Sequence, residues 1–390
     1  MEQRSLEAPI LEDLSRKMVF LAGPRQVGKT TLAQLILKKR GLGAYYLWDN
    51  AEDRRILLKG QWPSDAETIV LDELHKYARW KTWIKGEYDK HHDRLSFMVT
   101  GSARLDVYRR GGDSLQGRYH HYRLHPFSLR EMEGLPPAPE PMKDLSFTEP
   151  SAHHAGQLQS LMEFGGFPEP LLAADAKTLR RWRKERLERF FREDVRDLEH
   201  VRELSLLQIL ADLLPAKVGS PLSLNSLRED LEVSHRAVSH WLDILERLYF
   251  VFRIRPFMAR SIRSLKKEPK LYLWDWSMIE DPGDRFENLV ASHLLKLCHW
   301  LEDTQGYQTG LHYLRDAAKR EVDFLVTVDR KPWFAVEAKL SDETPANALR
   351  YFGDRLKIPR LYQVVFNGRR DFLADGVRVM PAAKFLLGLA

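Results

Sequence analysis

MVFLAGPRQVGKTTLAQLIL, residues 18–37, holds a glycine, four further residues and then glycine-lysine-threonine, set between a short apolar run and an amphipathic one. Met18–Ala22 suits a buried parallel strand. Thr31–Leu37 is built of good helix formers and closes on Lys38-Lys39-Arg40 before Gly41. A loop in that setting forms a concave anion site, because its backbone amides and the positive end of the following helix hold phosphate mostly through main chain. Gly23, Pro24, Arg25, Gln26, Val27, Gly28, Lys29, Thr30 and Thr31 are the expected lining. Gly23 and Gly28 supply backbone conformations that a side chain would obstruct. Lys29 would reach the β and γ phosphates of ATP, and the Thr30 hydroxyl would ligate Mg2+.

A second apolar run, Ile69-Val70-Leu71, ends in Asp72-Glu73. In phosphate-loop ATPases an acid at such a strand end holds the metal, and a following glutamate can orient water for in-line attack. Asp72 is therefore assigned to Mg2+ and Glu73 to water activation. A third run, Leu95–Arg104, carries Thr100-Gly101-Ser102 at its end.

Followed by DSLQGRYHHYRLHPFSLREM (113–132) and FGGFPEPLL (164–172), these motifs stand in an order that resembles a family of prokaryotic AAA-superfamily ATPases of unknown function. The resemblance runs over nearly the whole chain. Members join an amino-terminal ATPase domain to a carboxy-terminal part containing a winged helix and a restriction-nuclease-like fold. The likeness implies that Ser102 senses the γ-phosphate. An arginine finger from an adjacent subunit or domain would stabilise the charge there. Arg118 is the first candidate, with Arg109, Arg110 and Arg196 behind it, and a finger supplied in trans would require a homo-oligomer.

The 390 residues suffice for two or three domains, and 44% hydrophobic content can build their cores. No apolar run approaches the roughly 20 residues a membrane helix needs, and the first residues lack a secretory pattern, so a cytoplasmic protein without a membrane partner is expected. Cys298 is the sole cysteine, which excludes an intrachain disulfide and a cysteine-based metal cluster. The net charge of +6 permits nucleic-acid binding without demanding it.

Proline density over Leu135–Pro150 breaks regular structure, so an ATPase domain is expected over 1–134, with a linker and helical segment over 135–204. Within that segment Arg180–Glu203 interleaves charges of both signs, the pattern of a solvated helix laced with ion pairs. Residues 205–275 read as three short helices and an extended wing, and resemble a winged helix-turn-helix. His235, Arg236, Ser239 and His240 fall in the first turns of its third helix, where a major-groove reader places its contacts. Arg253, Arg255, Arg260, Arg263, Lys266, Lys267 and Lys270 follow, consistent with phosphate contacts on DNA. Dimerisation or packing between domains is the other use of such a module.

Over 276–390, Asp284–Cys298 reads as a helix carrying Glu287, while His312–Val328 and Pro332–Ser341 read as strands carrying Asp323, Glu337 and Lys339. Alternation along the strand puts Glu337 and Lys339 on one face. This region resembles the restriction-endonuclease core. The likeness implies a second Mg2+ or Mn2+ bound by Asp323 and Glu337, Lys339 positioning water, and Glu287 contributing from the helix. Pro345–Lys357 reads as a helix, Leu361–Phe366 as a strand and Val377–Met380 as an edge strand. The fold class expected is α/β: a P-loop ATPase domain with a parallel sheet, then a helical and winged-helix region, then a nuclease-like α/β domain. The expected function is Mg2+-dependent ATP binding and hydrolysis coupled to a domain that meets DNA or protein. A nucleotide switch that binds only a protein partner, and an ATP-gated metal-dependent DNA endonuclease, are the alternatives.

Overall fold

Short runs of β-branched and aromatic residues form the strands of two compact units that divide between Pro126 and Phe127. The computed structural model describes residues 4–101, 105, 115–136, 139–195, 203–257 and 268–390. In the first unit β1 (Met18–Ala22), β2 (Gly43–Leu47), β3 (Thr68–Asp72), β4 (Ser96–Thr100) and β5 (Tyr119–Arg123) make a parallel sheet in the order β2-β3-β4-β1-β5. β1 and β3 are buried along their whole length, as a parallel sheet covered on both faces requires. The helix Lys29–Arg40 lies against β2, β3 and β4. Phe20, Ile69, Leu71, Phe97 and Val99 join Trp80 and Ile84 of the helix Trp80–His91 in one core. Because β4 separates β1 from β3, the carboxyl ends of all three strands stand side by side. That edge is where open α/β sheets bind ligands.

The second unit carries, ahead of its sheet, the helices Leu129–Met132, Ala152–Phe164, Pro168–Ala173 and Ala176–Arg189. The last continues into a wider π turn over Phe190–Val195. Its Arg186 is not solvated as the mixed charge pattern had suggested. The guanidinium lies 4.1 Å over the Phe167 ring and 3.1 Å from Asp275, so desolvation is offset by a ring face and a carboxylate. The expected three helices follow as Leu204–Leu213, Leu224–Asp230 and His235–Arg247.

An eight-stranded sheet then takes β6 (Val251–Pro256), β7 (Lys270–Leu273), β8 (Thr309–Arg315), β9 (Glu321–Val328), β10 (Lys331–Lys339), β11 (Leu361–Val365), β12 (Phe372–Ala374) and β13 (Val377–Pro381) in the order β12-β13-β11-β10-β9-β8-β6-β7. β6 pairs antiparallel with β7 and runs parallel to β8 through Arg255 and His312. One sheet thus crosses residues 275 and 276. The stretch read as a single strand over 312–328 is an antiparallel pair, β8 and β9, turned where Asp316 accepts from the Arg320 backbone amide at 3.0 Å. Val377–Met380 is interior rather than an edge, because the short β12 pairs outside it.

The helix Pro282–Gln305 packs on this sheet, with Asp281 capping its start and Gly306 in the left-handed region at its end. Its His293 is buried and neutral: Nε2 accepts from the Leu129 amide at 3.2 Å, and Nδ1 donates to the Leu289 carbonyl at 2.8 Å. Burial pushes the His293 pKa down to about 4, with the Lys296 ammonium adding to the effect. The unfolded chain therefore takes up a proton on this residue near pH 6.5 that the folded chain refuses until about pH 4, so stability is lost as pH falls across that window. Denaturant unfolding is expected to show up to about 3 kcal/mol of loss over that window that is absent from His293→Gln.

Candidate active site

After β1 the chain turns at Gly23, whose φ of 149° lies in the region favouring glycine and where an added Cβ would stand 2.5 Å from the Leu124 carbonyl oxygen. Gly28, with φ 101° and ψ 22°, leads into the helix that begins at Lys29. Between them Val27 anchors the loop in the core, Pro24 is buried, and Arg25 and Gln26 are half-buried. Thr30 and Thr31, in the first helical turn, are exposed. The Lys29 ammonium folds over the loop and donates to the carbonyls of Gly23 at 2.9 Å and Pro24 at 2.7 Å. Two carbonyls of the loop are thereby tied to one cation.

Asp72 ends β3 and is 2% exposed, which demands compensation for its charge. Three hydroxyls supply it. Thr30 donates at 2.7 Å and Tyr45 at 2.5 Å to one carboxylate oxygen, and Thr100 donates to the other. The Tyr45 pKa rises well above the usual phenol range, through burial first and then the Asp72 carboxylate beside it. Sequence reasoning did not assign Tyr45 or Thr100. Thr100 was quoted within Thr100-Gly101-Ser102, but the strand order that sets β4 beside β3 is what aims its hydroxyl at Asp72. Tyr45 sits in Gly43-AYY-Leu47, a short apolar run between Gly41 and Trp48 that was the available signal for β2.

Glu73 leaves the strand with φ 59°, an uncommon conformation for a residue with a side chain, and its amide donates to the Thr100 carbonyl at 3.1 Å. Burial pushes its carboxyl above the usual carboxylate range, Lys29 and Lys76 oppose that shift, and Asp72 adds to it. A carboxylate held beside the phosphate loop with raised basicity suits proton acceptance from water. Ser102, Arg109, Arg110 and Arg196 lie outside the described residues. Arg118 is elsewhere: its carbonyl accepts from Met18 at the start of β1, and its guanidinium pairs with Asp89 at 2.6 and 3.2 Å. β1 separates it from the loop of its own chain by roughly 15 Å.

In the second unit Glu287, Asp323, Glu337 and Lys339 do meet. The Asp323 amide donates to Glu337 at 3.4 Å, and Lys339 stands 2.8 Å from Glu337. The residue that sequence reasoning misplaced is Lys270. Expected on a DNA phosphate, it is 1% exposed and lies 3.2 Å from Glu287, 2.7 Å from Glu321 and 3.5 Å from Asp323. Burial pushes Glu287 up to about 8 and Glu337 up to about 7, with Asp323 adding to both. Among the described residues no group of three or more His, Cys, Asp or Glu side chains is placed to hold a metal ion. Arg253 is likewise occupied at home, 2.6 Å from Asp243 and paired with Glu246, leaving Arg255, His235, Arg236 and His240 exposed on that module. Lys266 and Lys267, with Arg260 and Arg263, lie outside the described residues.

A glycine-bounded loop after β1, leading into a helix and flanked by an acid pair after β3, defines a P-loop NTPase domain. Residues 15–133 match the family described as AAA domain, so this segment is an AAA-like P-loop NTPase domain. Residues 155–280 and 282–385 match two domains of unknown function, DUF8612 and DUF4143. An uncharacterized protein of Mycobacterium tuberculosis is 23% identical over 99% of this chain and 85% of its own length. One from Methanocaldococcus jannaschii is 23% identical over 90% of this chain and 81% of its own. Among solved structures, the Walker-type ATPase of Pyrococcus abyssi aligns with 71% of this chain and 95% of its own at 15% identity and a TM-score of 0.44. Among the described residues no helix is long and apolar enough to cross a membrane.

If the Thr100 hydroxyl sets the Asp72 carboxylate for the metal, Thr100→Val should weaken Mg2+-dependent ATP binding by about 1 kcal/mol, roughly fivefold, and leave binding in EDTA unchanged. Calorimetric titration with and without Mg2+ checks both halves.

Proposed function

We propose that this chain binds MgATP at the loop after β1 and hydrolyses it, and that nucleotide state governs how the carboxy-terminal part engages DNA or a protein partner. The observation that carries this reading is the bonding of Thr30 and Thr100 to Asp72 beside the Lys29-capped loop. Thr30 and Asp72 offer hard oxygen donors that fit Mg2+, which when bound would neutralise charge developing on the transferred phosphoryl group. The loop amides and Lys29 bind and orient the triphosphate. Glu73 orients water and takes its proton, and the buried setting that raises its basicity also limits access of bulk solvent. Ser102 is the proposed γ-phosphate sensor.

Arg118 is out of reach of its own loop, so a finger role belongs to it only across a homo-oligomer, on the nucleotide of another copy. The exposed His235, Arg236 and His240 favour DNA as the partner of the winged-helix-like module, and a protein partner is the second reading because Arg253 is neutralised within it. A metal-dependent endonuclease is not adopted, since Lys270 stands among its acids.

Steady-state ATP hydrolysis, with and without double- or single-stranded DNA, tests the reading. Wild type should turn over and Glu73→Gln should lose at least about a hundredfold in kcat while still binding ATP. Equal rates in the two sink the assignment of Glu73. Stimulation by DNA supports DNA as the partner, and DNA-independent turnover supports the protein switch. Arg118→Ala should lower kcat only where the chain is oligomeric, with nucleotide affinity kept; an oligomer whose rate is unchanged removes Arg118.

A further inference from the structure

We propose that Lys270 is the resident cation of the carboxy-terminal carboxylate cluster: its ammonium stands where a divalent metal would stand, and the cluster binds no metal. An ammonium has three N–H donors and no acceptor. Lys270 faces three carboxylates, those of Glu287, Glu321 and Asp323, at 3.2, 2.7 and 3.5 Å. Each donor is therefore matched.

The remaining oxygens are largely taken by other protein donors. Asp323 Oδ2 accepts from the Ala338 amide at 3.0 Å and the second oxygen of Glu321 pairs with Arg315, while Glu287 Oε1, already at Lys270, also accepts from the Tyr272 hydroxyl at 2.7 Å. Glu337 divides its oxygens between Lys339 at 2.8 Å and the Asp323 amide at 3.4 Å. A divalent ion entering here would have to displace these bonds and accept a positive charge among its ligands. Both are costly in a buried setting.

Lys270 cannot easily swing aside. It is 1% exposed, its backbone is paired in β7 with β6 on one side, and its neighbour Pro269 accepts from the Leu222 amide at 2.8 Å. The Gly219 turn also lies against the cluster, since a Cβ there would stand 3.2 Å from Glu287. The ammonium is thus delivered by a strand that precedes the acids in sequence, and strand pairing keeps it there.

Mn2+ titration of the full chain without nucleotide, followed by the electron paramagnetic resonance of free Mn2+, tests the proposal. Wild type and Glu337→Gln should bind Mn2+ indistinguishably. Lys270→Gln should bind at least about tenfold more tightly than wild type, and adding Glu337→Gln should abolish the gain. Wild-type Mn2+ binding that Glu337→Gln removes overturns the proposal, and this arm stands even where Lys270→Gln fails to fold. So does a Lys270→Gln chain of native circular dichroism that binds Mn2+ no better than wild type.

Discussion

A carboxylate taken out of water must be given positive charge or hydrogen-bond donors, and the chain answers this demand in two different ways. At the carboxyl edge of the first sheet the donors around Asp72 are hydroxyls, which are neutral and leave the carboxylate its negative charge. At the second sheet the donor is an ammonium, which sets a fixed positive charge among three carboxylates. Identical residue types thus acquire opposite chemical prospects from the strand that lies beside them. Asp72 is poised to exchange ligands, whereas Asp323 already has its own.

The parallel sheet makes the first arrangement possible. Placing β4 between β1 and β3 aligns Leu21 with Thr100 and Leu71 with Val99, so the loop, the acid pair and Thr100 fall in one row at one end. Glu73 leaves that row in a left-handed conformation that turns its side chain away from the direction β3 would have carried it.

What was legible in the sequence was local. Met18–Ala22 and Thr68–Asp72 could be read because each element carries its pattern within a few consecutive residues, and the phosphate loop is itself a run of backbone conformations written in glycine. What was not legible depended on which strands become neighbours. Tyr45, Thr100 and Lys270 reach their partners across sheets, and no spacing along the chain records that. Runs of Arg and Lys misled for the same reason: Arg253, Lys270 and Arg186 look like free charge in one dimension, yet each is matched by acids brought from other elements or later turns. The acids Asp323 and Glu337 and the neighbouring Lys339 do lie together, while the cation facing Asp323 was assigned to a DNA groove.

The sheet that draws strands from both sides of residues 275 and 276 explains why that cation is present. β6 and β7 extend the strands of the following region, and β7 brings Lys270 to acids on β9 and on the helix Pro282–Gln305. Without this lysine, Glu287, Glu321 and Asp323 would be mutually repelling buried charges, and the sheet would depend on protonation or an imported ion for its integrity. With it, β7, β9 and the helix Pro282–Gln305 share one electrostatic centre, so none of the three can be removed without leaving unpaired charge on the others.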